Sequence, residues 1–577
     1  MTTRHDVREV PLQGGYIAKR CPVRIQNDVL LPSEPVPLGP EVLWRMEQGI
    51  AFEVDVIEEL RRLARPDWVF VDYELERPAA VAATVAAMEA GAALIAGGWL
   101  PPDVAGRRSG KPDLLIRGVE GYLPVDVKNH LTLEMADDGE AFVSPLAHPF
   151  FEAGEARDSW GVRRRKEDLL QLAHYRRMLE ACGQAPASMR AGIIGKERVV
   201  VWHDLGKPMW QTPAKSDGKK RKLRTTMEVY DFEFCFRLDI AAVARQSLTD
   251  PSCGLLVEPM WSGECPECPW LEHCSLTLRA GSGDPSLLPL VGYREWRLLR
   301  DHGITDRAGV AKLSYRTASL LATGADLEGV DLDLATAALG PAAFLPNAIL
   351  NARAVTGVRP AYRLPGRDGS DVPRADIELD IDMESTNDGV YLWGVLVTDR
   401  AGIGLVEPGY RPFVTWDPID EERELLVFRS FWGWLTETLA KARRVRVSVN
   451  GYCWYSGAEN TQMRRIAAAD PVLTDEVATF VASSQWIDLE QVFRESWITG
   501  QSRSLKVVAP LAGHRWAVDD PGGGLAMVKH VEATGSNADE AARAWLLDYN
   551  QGDVQATLRI REWLDREGAT WPEVGTW

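Results

Sequence analysis

Two groups of residues, far apart in the chain, have the types and spacing that chemistry needs. Asp113 follows Pro112, and Asp126-Val127-Lys128 comes shortly after the turn residues Gly118-Val119-Glu120-Gly121. On two paired strands, Asp113 enters from one and Asp126 from the next, while Lys128, two residues on, shares a face with Asp126. Carboxylates placed in this way can hold Mg2+ or Mn2+, and a neighbouring ammonium can orient water and stabilise developing negative charge. That combination suits hydrolysis of a phosphodiester at neutral pH. The second group is Cys265-Pro266-Glu267-Cys268 with Cys274. Its C-x2-C-x5-C spacing is that of metal ligands, and the prolines with Trp270 suit a tight knuckle. A four-ligand site needs one more donor, with Cys21, Cys253 and His273 open for that place and an iron-sulfur cluster or a structural zinc as the occupant.

The elements that must position these residues are legible as patterns. Residues 41–63 read as an amphipathic helix with Leu43, Met46, Ile50, Val54 and Ile57 on one stripe and Glu53 at its edge. A glutamate on a buried side is costly unless paired or bound to a cation, which makes Glu53 a candidate ligand. Residues 113–116 and 123–127 read as strands of a hairpin. Residues 167–180 read as a helix in which Gln171 and Tyr175 share a face. Residues 199–203 and 227–238 read as further strands, with the basic stretch 215–224 at a hairpin tip between them. A second basic patch is Arg163-Arg164-Arg165-Lys166.

With 577 residues, the chain is too long for one ordinary core. No apolar run approaches a membrane span, since Thr84 and Glu89 interrupt the Ala-rich stretch 79–96. The first residues lack the apolar core of a secretory signal, so a cytoplasmic location is expected, where clustered thiols bind metal more often than they form disulfides. The remaining Cys182, Cys235 and Cys453 are expected to be buried apolar residues. A net charge of −18 argues against a simple basic DNA-coating protein but leaves room for local basic patches.

The first region resembles the PD-(D/E)xK nucleases of the RecB family. Their order is a helical ligand after a glycine, then Asp, then D/E-x-K, then a Q-x3-Y helix beside the active site. Here it is matched by Gly49-x3-Glu53, Asp113, Asp126-x-Lys128 and Gln171-x3-Tyr175. Many members carry His at the first position, where this chain has Glu, a residue that can still ligate a hard cation. The cysteines resemble those of the iron-sulfur nucleases related to AddB-type helicase-nuclease subunits and CRISPR-associated exonucleases, in which one early cysteine joins three after the nuclease motifs. The resemblance implies a 4Fe-4S cluster on Cys21, Cys265, Cys268 and Cys274, mainly structural.

Residues 281–365 turn helical, and 287–313 resemble a helix-hairpin-helix element. From about residue 366, the segment 376–384 alternates strictly: Ile377, Leu379, Ile381 and Met383 face one side, and Asp376, Glu378, Asp380, Asp382 and Glu384 the other. Asn387-Asp388-Gly389 then reads as a turn, 391–397 as the returning strand, 445–449 and 487–492 as later strands, and 538–566 as a terminal helix. Asp382-Met383-Glu384 resembles the first motif of DEDD exonucleases on the ribonuclease H fold, whose carboxylates bind two metal ions, and Tyr549 with Asp553 resembles their Y-x3-D motif, in which the tyrosine orients water beside a metal-binding aspartate. Glu459 best fits the middle acidic position, with Asp488 as the alternative.

The expected architecture is therefore α/β in three parts: 1–280 a PD-(D/E)xK core with its cluster, 281–365 a helical connector, and 366–577 a ribonuclease-H-like domain. The function this implies is metal-dependent cleavage of DNA, with single-stranded DNA or DNA ends as substrate. A different class also fits, a nucleic-acid-binding adaptor of a helicase or defence complex. The chain has no G-x4-GK-[ST] phosphate loop, so unwinding by that ATPase route would fall to a partner helicase.

Overall fold

The computed structural model describes residues 12–31, 39–213, 221–324, 333–340, 344–357, 361–369, 372–386, 388–499, 502–518, 523–535 and 538–574. The chain divides into two compact α/β units, Met1–Cys274 and Ser275–Trp577. Among the described residues no helix is long and apolar enough to cross a membrane.

The first unit is built on an eight-stranded mixed sheet. Gly118 and Gly121 close the antiparallel hairpin of Leu114–Gly118 and Gly121–Val127, which sets Leu114 opposite Val125. Strand Gly121–Val127 then pairs in parallel with Arg190–Ile194. A parallel pair requires a crossover, and helix Lys166–Ala181 lies within it. Leu114, Ile116, Leu123 and Val125 turn to one face, where Val56, Ile57 and Leu60 of helix Pro40–Arg62 pack. Leu115, Tyr122 and Ile193 turn to the other, against Leu169, Leu172 and Leu179 of Lys166–Ala181. Alternation therefore sends Asp126, and Lys128 beyond it, toward that second helix.

Four local expectations are corrected here. Residues 227–238 lie in helix Thr226–Thr249, not a strand. Met227, Tyr230, Phe234, Ala241 and Ala244 are buried at helical spacing, and Thr225 with Glu228 forms a reciprocal capping box, with hydrogen bonds of 3.0 and 2.8 Å. The β-branched and aromatic composition misleads because packing overrides propensity. The basic stretch is flanked by the paired strands Trp210–Pro213 and Arg221–Arg224, while 214–220 lie outside the described residues. Of the expected stripe, Leu43, Met46, Ile50 and Val54 are exposed, while Ile57 is buried together with Val56 and Leu60. Of Cys182, Cys235 and Cys453, Cys453 is buried, Cys182 half-buried and Cys235 exposed.

The second unit carries helices Tyr293–Asp301 and Arg307–Ala311 around Gly303, whose φ of 75° makes the tight turn that favours glycine. Its five-stranded sheet has Ile377–Ser385 at the centre. Val390–Asp399 is antiparallel to it on one side, with Gly409–Val414 beyond, and Val449–Cys453 and Trp486–Asp488 run parallel on the other. Ile377, Leu379 and Ile381 pack with Phe428, Phe431 and Leu435 of helix Glu421–Val445. The opposite face meets helix Glu540–Glu567, and Asn387 lies outside the described residues. The later strands shift from expectation: the long helix continues to Val445, and Leu489–Ser496 is helical because Asp488 caps it through the Gln491 N–H at 3.0 Å.

Two buried imidazoles give the first unit a sensitivity to acid. Burial pulls both His174 and His203 down to about 4. His174 is held between the Ser109 carbonyl and the Tyr230 hydroxyl, each at 3.0 Å, whereas His203 Nε2 has no partner. Unfolded histidine protonates near pH 6.5, so stability falls as pH drops from there toward 4, by about 2 kcal/mol per imidazole at pH 5. Urea midpoints at pH 7.5 and 5 are expected to differ accordingly, and His203→Phe is expected to narrow that difference.

Candidate functional sites

In the first unit the hairpin brings its two aspartates together. Asp113 Oδ2 accepts the Val127 N–H at 2.7 Å, which ties one strand's acid to the backbone beside the other's. Lys128 Nζ lies 3.1 Å from Asp126 Oδ2 and donates to Gln171 Oε1 at 3.1 Å, and Gln171 Nε2 in turn meets the Tyr175 hydroxyl at 2.8 Å. Gly110 is needed here, because a Cβ would sit 2.7 Å from the Tyr175 ring. Asp126 is buried, and among the described residues neither of its oxygens has a hydrogen-bond partner besides its ion pair with Lys128.

The electrostatics follow from crowding. Burial, then the charge of Asp126, holds Asp113 well above the usual carboxylate range. Burial likewise raises Asp126 against the pull of Lys128, and raises Glu53, which also feels Asp126. Three neighbours escaped the sequence analysis. Asp168 accepts from His130 at 2.9 Å and adds its charge to those acting on Asp126 and Lys128. It precedes Gln171 by three residues, so helical spacing was a usable signal. Lys111, just before Pro112, lies 4.3 Å from the Tyr73 ring centroid, and Tyr73 is pushed up to about 12 by burial and then by Glu53 and Asp113.

The cysteines converge on a cavity of about 110 Å3 lined by Cys21, Cys265, Cys268 and Cys274. The Glu264 carboxylate accepts the N–H groups of Arg20 and Cys21, each at 3.0 Å, and so fastens the N-terminal cysteine to the distant knuckle. Sulfur also receives donors: the Ser262 N–H at 3.2 Å on Cys265 and Asn27 Nδ2 at 3.6 Å on Cys274. Burial pushes Cys274 up to about 11 and raises Cys21 and Cys268, with neighbouring thiolates adding to each. The rival ligands do not join them, since Cys253 is exposed beside the Gly254 carbonyl and His273 is exposed outside the cavity lining.

In the second unit Asp382, Glu384 and Asp553 place carboxylate oxygens within 4.8 Å of one another. Asn550 Nδ2 bridges Asp382 at 2.8 Å and Glu384 at 3.4 Å, and its own carbonyl accepts from the Tyr410 hydroxyl at 2.8 Å. Gly394, opposite Asp382, leaves the space, because a Cβ there would lie 1.7 Å from Asn550 Oδ1. Asp553 pairs with Lys506 and accepts Trp516 Nε1 at 2.7 Å. Burial raises Glu384 to about 8, with Asp553 adding to it, and raises Glu459 to about 8. Glu459 is buried with Oε2 unpartnered, and its charge reaches Asp382 and Glu384. The alternative, Asp488, is engaged by the backbone N–H groups of Tyr455, Ser456 and Gln491. Tyr549 stacks on Trp545 with centroids 5.3 Å apart.

In the second unit the converging triad suits a hard cation by donor chemistry, all-oxygen with burial and mutual repulsion raising Asp382 and Glu384, and the four thiols suit a thiophilic centre. Comparison of the chain with protein-family models, with curated proteins and with solved structures finds no match.

Raised carboxylates oppose folding once they must ionise. The contribution of Glu384 and Glu459 to stability is fullest below about pH 4.3 and is lost as pH rises through about 8. A bound cation reverses this, so the rise in melting temperature on adding Mn2+ is expected to be larger at pH 8.5 than at 6.5. Asp382→Asn with Glu384→Gln is expected to stabilise the metal-free protein by about 1 kcal/mol and to abolish the C-terminal share of the Mn2+ effect. Calorimetric scans at the two pH values check both.

Proposed function

We propose that the chain is a metal-dependent deoxyribonuclease acting on single-stranded DNA or DNA ends, with a RecB-like PD-(D/E)xK site in its first unit. The observation that carries this reading is the line Asp126, Lys128, Gln171, Tyr175, joined at 3.1, 3.1 and 2.8 Å, with Asp113 tied in from the adjacent strand. Glu53, Asp113 and Asp126 would hold Mg2+ or Mn2+, which when bound neutralises charge at phosphorus and acidifies water. Burial, with repulsion added to it, raises these acids, and such an ion offsets both.

Lys128 supplies a positive charge beside the attacked phosphate, and its neighbours Asp126 and Asp113 keep it protonated. Gln171 aims that ammonium, and Tyr175 fixes Gln171. The four thiols would hold a 4Fe-4S cluster whose role is to cross-link two chain-distant segments, an effect that grows with the loop closed. The second unit supports a ribonuclease-H-like reading through its strand order and the convergence of Asp382, Glu384 and Asp553, with Glu459 as the fourth acid and Tyr549 one turn before Asp553. A reducing, cytoplasmic setting suits the thiols.

End-labelled single- and double-stranded DNA digested with Mg2+, Mn2+ or EDTA tests the reading. Asp126→Ala and Lys128→Ala are each expected to slow cleavage at least about a hundredfold. Residual cleavage should be exonucleolytic and disappear on adding Asp382→Ala with Glu384→Ala. Intact cleavage by Lys128→Ala would remove the first site from the mechanism, and no metal-dependent cleavage by the wild-type chain would favour the adaptor.

Anaerobically purified protein is expected to be brown and to carry about four irons per chain. Cys21→Ser should lose colour and stability together, whereas Cys253→Ser should lose neither. Colourless protein with one stoichiometric zinc would instead identify a zinc knuckle.

A further inference from the structure

The C-terminal carboxylate site contains a cation of its own. Lys506 Nζ pairs with Asp553 Oδ1, and the same ammonium lies 4.3 Å from the ring centroids of both Trp516 and Tyr549. Trp516 Nε1 donates to that same Oδ1 at 2.7 Å, so one oxygen of Asp553 receives two donors from an aromatic box. Two ring faces and a carboxylate attract an ammonium together, and partial burial strengthens each attraction.

The backbone around Lys506 is anchored. It lies in the short helix Leu505–Val508, where Leu505 and the fully buried Val508 join the core with Phe493, Ile560 and Leu564. The box is anchored too, because Gly552, the residue before Asp553, leaves space for the indole; a Cβ there would lie 2.5 Å from Trp516 Cδ1. Asp382 and Glu384 differ from Asp553, since both accept from the neutral amide of Asn550.

We propose that Lys506 is a built-in cation of this site, so that it takes one divalent ion, on Asp382 and Glu384, instead of a pair shared with Asp553. This rests on the reading of the triad as a metal site. A second ion on Asp553 would have to displace an ammonium held by a carboxylate and two rings, and would meet its charge at close range. Lys506 is in this sense a positioning residue, setting the number and place of ions before any substrate arrives.

The test is Mn2+ titration of the full chain with the first site silenced by Asp113→Asn and Asp126→Asn, read by calorimetric stoichiometry and electron paramagnetic resonance. One ion per chain with an uncoupled spectrum is expected. Lys506→Met should admit a second, spin-coupled ion, tightening its binding at least about tenfold, while Lys506→Arg, which keeps the charge, should still take one. Trp516→Leu, which opens the box without removing the ammonium, should loosen the exclusion and serves should Lys506→Met fail to fold. A coupled pair in the wild-type site as readily as in Lys506→Met overturns the proposal alone. No ion in any variant, with no change on adding Asp382→Asn and Glu384→Gln, overturns the metal reading itself.

Discussion

Both units are organised around the free energy of burying carboxylates. An ionised carboxylate taken out of water must be paired, coordinated or neutralised. Strand Ile377–Ser385 shows the first of these solutions at one end of a face and not at the other. Glu378 and Asp380 are fully buried, and Arg561 and Arg374 bind them: Arg561 grips Asp380 through both terminal nitrogens and lies 3.1 Å from Glu378, while Arg374 bonds Glu378 at 2.7 and 3.0 Å. Two residues further on, Asp382 and Glu384 accept from the neutral amide of Asn550, with no such arginine among the described residues. The strand thus changes from a neutralised, structural end to an end whose charge is left over.

The first unit reaches the same condition by another route. Its hairpin crowds Asp113 against Asp126, and the ammonium of Lys128 is shared between Asp126 and Gln171. Lys128 belongs to the same strand register as Asp126, so the geometry that creates the repulsion also supplies its partial remedy. Perturbed acids of this kind cluster where function needs them, since a site held short of positive charge is ready for a cation. The scaffold tolerates the cost because the surrounding layers are apolar and deeply buried, with Leu114, Ile116, Val125 and Ile194 fully enclosed.

The cysteine cavity links distant chain segments by different means. Glu264 holds the backbone at Arg20 and Cys21, Trp270 Nε1 reaches Asp28 at 2.8 Å, and Arg237 bonds the carbonyls of Tyr16 and Lys19. The thiols are therefore brought together by ordinary hydrogen bonds. A cluster bound there would reinforce a closure the polypeptide already makes.

Much of the site architecture was legible from local pattern. Period-two alternation placed Asp126 with Lys128 and sorted the carboxylates of 376–384 from its apolar residues, helical spacing paired Gln171 with Tyr175, and the glycine turn predicted the hairpin. Local pattern failed where packing overruled it. Residues 227–238 have strand-like composition but bury a helical stripe, and Leu43, Met46, Ile50 and Val54 form a stripe left exposed among the described residues. The sequence by itself determined which side chains share a face, because backbone periodicity is local. Only the tertiary structure decided which faces meet: that Cys21 rather than Cys253 joins the knuckle, that Asn550 spans Asp382 and Glu384, and that Lys506 pairs with Asp553. Those partners lie far apart along the chain, and no periodic signal reports a contact that depends on how separate elements pack.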